Sequence, residues 1–180
     1  MSADGIYLDV MVPEALAGAG TRGARLGVHG TRAARRAKGL EATLVDRERR
    51  TVVALDPADD RSREIWIAGP AALIVAKLHK IGERVGAQDR VRDKDALDLY
   101  RLFQAVPTDQ LAEGIRELNA EHFSGDVTAD ALVTLRQLFT QPDAEGVEMT
   151  VRATGEIDNS EVIRVSTISL AVDLLVAIEV

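Results

Sequence analysis

The chain has 180 residues, of which 46% are hydrophobic, 28% charged and 3% aromatic, and its net charge is −7. This length and composition are typical of one globular domain and exclude an intrinsically disordered chain. Because aromatic residues are scarce, we expect a core of alanine, leucine, valine and isoleucine, as in helices packed on a small sheet. The absence of cysteine excludes disulfides and thiolate metal ligands.

The sequence also predicts where the protein resides. No stretch reaches the roughly 18 uninterrupted apolar residues that a membrane span needs. The first five residues contain one acid and no basic residue, which argues against a secretory signal. We therefore expect a cytoplasmic protein without a membrane partner.

The first 69 residues are predicted to be rich in strands. An apolar, β-rich run at 6–12 ends at Pro13, because a strand interior would not accept a proline. Glycine-rich residues 14–39 predict a long loop with a short helix at 31–37. The remaining predictions are strands at 41–45, 51–55 and 63–68, a charged hairpin connection at 46–50 and a turn at 56–60.

Positive charge is concentrated within this part of the chain. No acidic residue lies between Glu14 and Glu41, whereas six basic residues do. These six are Arg22, Arg25, Arg32, Arg35, Arg36 and Lys38. A basic stretch on an acidic protein indicates an anion site, for a nucleotide or for an RNA such as tRNA. A solvated loop is the alternative interpretation.

After Gly69 the pattern changes to helix. We predict helices at 71–85, 93–105 and 108–119, a fourth that Thr128 opens and that ends before Pro142, and a last one towards Val180. The apolar tail from Val162 is expected to be core or dimer surface. The predicted fold class is therefore α+β, a small mixed sheet followed by a helical half. Residues 1–69 and 70–180 form the two parts, which we expect to share one core.

The first two predicted helices carry the residues that indicate chemistry. Lys77, Lys80 and Arg84 recur at i, i+3 and i+7, which places them on one helix face. Asp95 and Asp98 follow at i, i+3 in the next helix. Ammonium groups and carboxylates in this arrangement suit a triphosphate and its magnesium. The alternative is a solvated basic face beside carboxylates that complement the helix dipole.

Residues 5–105 resemble the AbiEii-type nucleotidyltransferases, a family of toxins from type IV toxin–antitoxin and abortive-infection systems. The quoted motifs are the Pro-Ala-Ala-Leu start of the first helix, Lys77, Arg84, and Lys94-Asp95-x-x-Asp98-Leu99. The segment Leu8-Asp9-Val10-Met11-Val12-Pro13 is similar to the family's second acidic strand. The resemblance implies a nucleotidyltransferase-like palm for the strand-rich part.

The resemblance also implies roles for individual residues. Lys77 would contact nucleotide phosphates, with Lys80 and Arg84 on the same binding face and Arg84 also a structural partner of the acidic helix. Asp95 or Asp98 would be the catalytic base or orienting group, and Asp9 would bind Mg²⁺. The implied partners are an NTP, an RNA such as tRNA, and a cognate antitoxin.

The family's Gly-Ser turn and Asp-x-Asp strand have no counterpart in the eight residues before Asp9. The chain is thus expected to be a truncated or degenerate member. One hypothesis is a magnesium-dependent transferase that moves a nucleotide from an NTP to an RNA or protein hydroxyl. The other is a non-catalytic pseudo-enzyme or binding module for nucleotide, RNA or a partner protein, which the missing motif favours because two-metal chemistry needs converging carboxylates.

Overall fold

A computed structural model describes residues 9–20, 22–85, 93–155 and 159–179. Within these ranges the chain forms four short strands and six α-helices, which confirms the predicted α+β class. The strands are β1 (Met11–Pro13), β2 (Arg35–Ala37), β3 (Arg47–Val53) and β4 (Ser62–Ala68). The helices are α1 (Pro70–Gly82), α2 (Lys94–Ala105), α3 (Thr108–Ala120), α4 (Gly125–Phe139), α5 (Glu145–Thr154) and α6 (Ser160–Glu179).

The strands lie in two separate two-stranded sheets, where the sequence analysis placed one mixed sheet. β1 pairs with β2 in parallel, with Met11 opposite Arg35. β3 and β4 form an antiparallel hairpin in which Arg49 lies opposite Trp66, and the guanidinium carbons of Arg47 and Arg49 lie 4.7 and 4.9 Å from the centre of the Trp66 ring. The side chains of β3 are exposed on both faces of the hairpin.

Two local predictions near the amino terminus need correction. The helix predicted at 31–37 is wrong, since this segment contains β2. The strand predicted at 41–45 is a short 3-10 helix, Leu40–Leu44. The buried Glu41 carboxylate stabilises this helical turn. It accepts hydrogen bonds from the backbone N–H groups of Ala15 at 2.9 Å and Gly39 at 2.8 Å. Residues 6–8 of the first predicted strand lie outside the described residues.

The charged segment 46–50 was also predicted wrongly, as a connection, and most of it belongs to β3. Its charges do not oppose a strand, because they remain in solvent and find partners within the hairpin. Glu48 pairs with Arg50 at 2.7 Å, and Glu64 of β4 pairs with Arg49 at 3.8 Å. Charge alone therefore does not distinguish a connection from a strand exposed on both faces.

The helices predicted after Gly69 are confirmed to within a few residues at their ends, and the tail is helical. Helix α5, which has ten residues, was not predicted. Its buried face includes Gly146 and Thr150, residues with low helix propensity, so neither propensity nor an apolar stripe marks it. None of the described helices is long and apolar enough to cross a membrane.

Helix α1 lies at the centre of the main core and packs against α2, α3, α4 and the Leu40–Leu44 3-10 helix. Its buried residues are Ala71, Ala72, Ile74, Val75, Leu78, His79 and Ile81. His79 donates Nε2–H to the carbonyl oxygen of Val127 in α4 at 2.7 Å. Gly39 passes so close to the His79 ring that a Cβ atom there would lie 2.5 Å from it, and its φ of +87° also requires glycine.

The start of α1 is capped by a residue far away in sequence. Gly69 occupies the N-cap position and has no side chain to satisfy the free N–H groups of the first turn. The Asp46 carboxylate fills this role by accepting the Ala72 N–H at 2.9 Å, while the Asp46 carbonyl accepts the Gly69 N–H at 2.9 Å. Asp46 thereby joins the base of the hairpin to the central helix.

We expect Asp46→Ala to lower the free energy of unfolding by about 1 kcal/mol, because it removes the only side-chain cap seen at the start of α1 among the described residues. Urea unfolding followed by circular dichroism measures this change. Asp56→Ala is the matched control, since Asp56 accepts one backbone N–H in the exposed hairpin turn. Equal effects of the two substitutions would contradict the capping role.

Candidate functional site

The candidate residues of the first two helices meet at the interface between α1 and α2. Lys77 Nζ donates to Asp95 Oδ1 at 2.9 Å and to Asp98 Oδ2 at 2.7 Å. Lys80 Nζ donates to Asp95 Oδ1 at 3.0 Å, and Arg84 donates to Asp95 Oδ2. We call these five residues the Asp95 cluster. The i, i+3, i+7 spacing of its cations brings all three to one carboxylate, as the sequence predicted for their common face.

Burial and charge act in opposite directions within this cluster. The Asp95 side chain is only 5% exposed. Burial raises the pKa of this carboxyl, but hydrogen bonds from Lys77 and Lys80 outweigh burial, so the pKa lies below its ordinary value. Burial likewise lowers the pKa of Lys77, but its bonds to Asp98 and Asp95 outweigh burial and raise the pKa. Both groups are therefore charged at neutral pH.

The cluster has more positive than negative charge. Arg101, one turn after Asp98 on α2, extends it with an ion pair at 3.7 Å. Four cations thus face the two carboxylates of Asp95 and Asp98. Lys80 and Arg101 reach solvent, with side chains 48% and 64% exposed. The excess positive charge is therefore available to an external anion.

Beside the cluster lies an open depression of about 330 Å³, with a largely apolar surface and charged groups at its edge. It is lined by Leu73, Lys77, Asp98, Arg101, Leu102 and Ala105. A larger depression, of about 440 Å³, lies between the hairpin and the start of α1. There the Asp46 carboxylate already occupies the position that an anion would take at a helix N-terminus, so we assign no ligand to it.

Asp9, the predicted metal ligand, does not join the Asp95 cluster. Its carboxylate pairs with Arg35 of β2, and both side chains are exposed. Among the described residues, no three histidine, aspartate or glutamate side chains lie together as metal ligands would. The metal-binding role of Asp9 stays a prediction.

The basic window before Glu41 is partly neutralised. Arg35 pairs with Asp9, Arg36 with Glu14 at 3.1 Å, and Lys38 with Asp130 of α4 at 2.6 Å. The remaining three, Arg22, Arg25 and Arg32, are exposed and make no ion pair within the described part of the chain. Half of the window thus fixes local structure, while RNA binding by the other half stays a prediction.

Sequence reasoning missed two cations near the site. Arg101 follows Asp98 at i, i+3, a spacing that could have revealed it. Arg152 of α5 pairs with Asp93 at 3.0 Å and with Glu145 at 2.8 Å, and so holds α5 against the start of α2. The Arg152–Asp93 contact spans 59 residues, and no sequence pattern indicates it.

Comparison with known proteins adds no identification. No protein-family model, curated protein or solved structure matches the chain. The resemblance to AbiEii-type nucleotidyltransferases therefore depends on the motifs quoted above and stays a prediction.

We expect Asp95→Asn to destabilise the fold by about 3 kcal/mol, because it leaves Lys77 and Arg84 without their shared buried anion. Since the pKa of Asp95 is lowered on folding, its stabilisation is present above the ordinary aspartate pKa. That stabilisation is lost as the pH falls through the folded pKa, below about pH 4.

The measurement is urea unfolding of both proteins at neutral pH and at acid pH. The difference between wild type and Asp95→Asn should shrink in acid. Asp60→Asn, an exposed site in the hairpin turn, is the control and should leave the free energy of unfolding unchanged at both pH values. A wild-type advantage that is constant with pH would show that the Asp95 charge does not stabilise the fold.

Proposed function

We propose that the chain is a non-catalytic binding module for a nucleotide. The supporting observation is the position of Lys77 and of the half-free Arg101, which share the Asp98 carboxylate, at the edge of a largely apolar depression. Such a site offers charge to the phosphates and apolar contact to the base or ribose. The proposed ligand is therefore a nucleotide, which has both chemical features, and not a free phosphate.

Two cations, Lys77 and Arg101, line the depression, and Lys80 lies beside them on the shared Asp95 carboxylate. Arg101 presents a guanidinium that can bind a phosphate group through two parallel N–H donors. Lys80 needs only one of its three ammonium hydrogens for Asp95, and its side chain is about half exposed. Lys77 is held in place by Asp95 and Asp98 and lines the depression. The cluster is thus ordered before a ligand binds, which lowers the entropic cost of binding.

The base would rest on the apolar wall formed by Leu73, Leu102 and Ala105. Leu73 is exposed although it lies on the central helix, so a ligand that covers it gains free energy from burial. The wall contains aliphatic side chains and backbone only, and it offers shape more than hydrogen-bond selectivity. We therefore expect little discrimination between purine nucleotides.

The carboxylates of the site do not fit the magnesium ions of a transferase. Asp95 already receives hydrogen bonds from three cationic side chains, Asp98 pairs with Lys77 and Arg101, and Asp9 pairs with Arg35. A metal ion at Asp95 would have to displace Lys77 and Arg84, whose largely buried side chains would lose their counter-charge, which is costly. The exposed Asp9 does not lie with Asp95 and Asp98, so it cannot complete a two-metal site there. This is the reason for preferring a binding module to the enzyme. The predicted RNA and antitoxin partners stay predictions.

The proposal predicts that the chain binds ATP in the presence of EDTA, since the protein's own cations neutralise the phosphates. Arg101→Gln should raise the Kd about tenfold, the loss of roughly 1.4 kcal/mol expected for one charge-assisted contact. Isothermal titration calorimetry measures both proteins. Arg61→Gln removes an exposed, ion-paired arginine at the hairpin turn, away from the depression, and should leave the Kd unchanged.

Two further measurements make this test decisive. Lys80→Gln, which leaves Asp95 with two cationic partners, should weaken ATP binding while the thermal unfolding temperature stays close to that of wild type. Absence of ATP binding by the wild type, or equal Kd values for Arg101→Gln and Arg61→Gln, would refute the proposal. Magnesium-dependent transfer of label from ATP to RNA or protein would establish the transferase instead.

A further inference from the structure

Helix α6 is apolar on opposite sides, although only one side packs against the rest of the chain. The inner side buries Ile163, Thr167, Ala171, Leu174 and Leu175. The outer side carries four exposed valines. Val162, Val165, Val172 and Val176 are 68%, 57%, 37% and 58% exposed. A helix that is apolar all round is normally covered all round.

The outer residues follow a regular spacing. Val162, Val165, Ser169, Val172 and Val176 are separated by three, four, three and four residues. We call these five residues the valine stripe. This alternation is that of the a and d positions of a coiled coil, where each side chain fits between four residues of a facing helix. The stripe therefore has the pattern of a helix-packing surface.

We propose that the valine stripe packs against the same stripe of a second copy of this chain, with the two α6 helices antiparallel. The stripe has Ser169 at its centre and two valines on either side. With Ser169 opposite Ser169 of the partner subunit, Val162 lies level with Val176 of the partner subunit, and Val165 lies within about 1.5 Å of the level of Val172 of the partner subunit along the helix axis. Each valine of the stripe then lies beside a valine of the other stripe.

The centre and the ends of the stripe also favour this arrangement. Ser169 lies on the two-fold axis, where a small side chain allows the helices to approach closely. Antiparallel packing places the amino end of each helix beside the carboxyl end of the other, so their macrodipoles attract. Asp173 flanks the stripe four residues from Ser169, so the two Asp173 residues of the pair lie about 12 Å apart along the helix axis and do not face each other.

The size of the interface between the two α6 helices determines how stable we expect the dimer to be. A helix of 20 residues is about 30 Å long, so one helix pair is at the small end of specific interfaces. Val133 of α4 is exposed and lies one turn before Arg136, which pairs with Glu179 at the end of α6. Val133 can extend the apolar surface at that end. We therefore expect a dimer that dissociates on dilution.

Sedimentation equilibrium over a range of micromolar concentrations tests the assembly. The wild type should approach twice the chain mass of 19.4 kDa as concentration rises. The double variant Val165→Glu, Val172→Glu should remain monomeric with an unchanged circular dichroism spectrum, since both side chains lie outside the core. Val53→Glu is the matched control, an exposed valine of β3, and should still dimerise. A monomeric wild type, or a dimeric double variant, would overturn the proposal.

Introduced thiols test the antiparallel arrangement, because the chain has no cysteine of its own. Ser169→Cys should form a disulfide-linked dimer under mild oxidation, and Ser62→Cys on β4 should not. An equimolar mixture of Val162→Cys and Val176→Cys should give the mixed disulfide dimer. Predominant Val162→Cys homodimers would indicate parallel helices and would contradict the arrangement.

Discussion

The Asp95 carboxylate is the constraint on which the arrangement of α1 and α2 depends. A carboxylate buried to this degree would cost several kcal/mol if it lacked partners. The cost is offset because α1 presents Lys77, Lys80 and Arg84 on one face, so the two helices can pack only where this face meets the start of α2. The opposite face of α1 then forms the centre of the apolar core. The two faces of α1 therefore determine both the packing of the core and the position of the candidate site.

The strand-rich part is attached to this centre mainly through polar contacts. Ala42 joins the main core, whereas Ala17, Ala24 and Ala34 form a small apolar cluster of their own. Glu41 binds two backbone N–H groups, Asp46 caps α1, and Gly39 allows close contact with His79. Each contact depends on a single residue and on exact backbone position. Conservative substitutions at these three positions should therefore affect the fold more than changes in the exposed hairpin.

The helices and the grouping of cations could be predicted from sequence because both follow the 3.6-residue period. The strand predicted at 63–68 is confirmed as β4, but segments 41–45 and 46–50 could not be assigned correctly, because Glu41 fixes a turn through Ala15, 26 residues away, and β3 begins with charges that remain in solvent. The role of Asp95 was also beyond sequence reasoning. The same aspartate at a helix start could bind a metal ion or an ammonium group, and only the distance between α1 and α2 decides between them. Helical spacing therefore predicted which side chains meet, but not which charged groups remain free to bind a ligand.

Helix α2 separates the two proposed binding surfaces. Asp95 and Asp98 face α1, whereas the Tyr100 hydroxyl lies 3.3 Å from Ser166 Oγ on α6. Ser166 flanks the valine stripe, so a second copy bound there lies beside α2 on the side away from the Asp95 cluster. Nucleotide and partner subunit could then be bound together, and α2 would be the shared element through which one could influence the other. Such coupling requires that α2 or the Tyr100–Ser166 contact has two arrangements of different affinity. Because Asp95 is held by three cations, the amino end of α2 is fixed to α1, and any adjustment would have to occur towards its carboxyl end, where Arg101 lies.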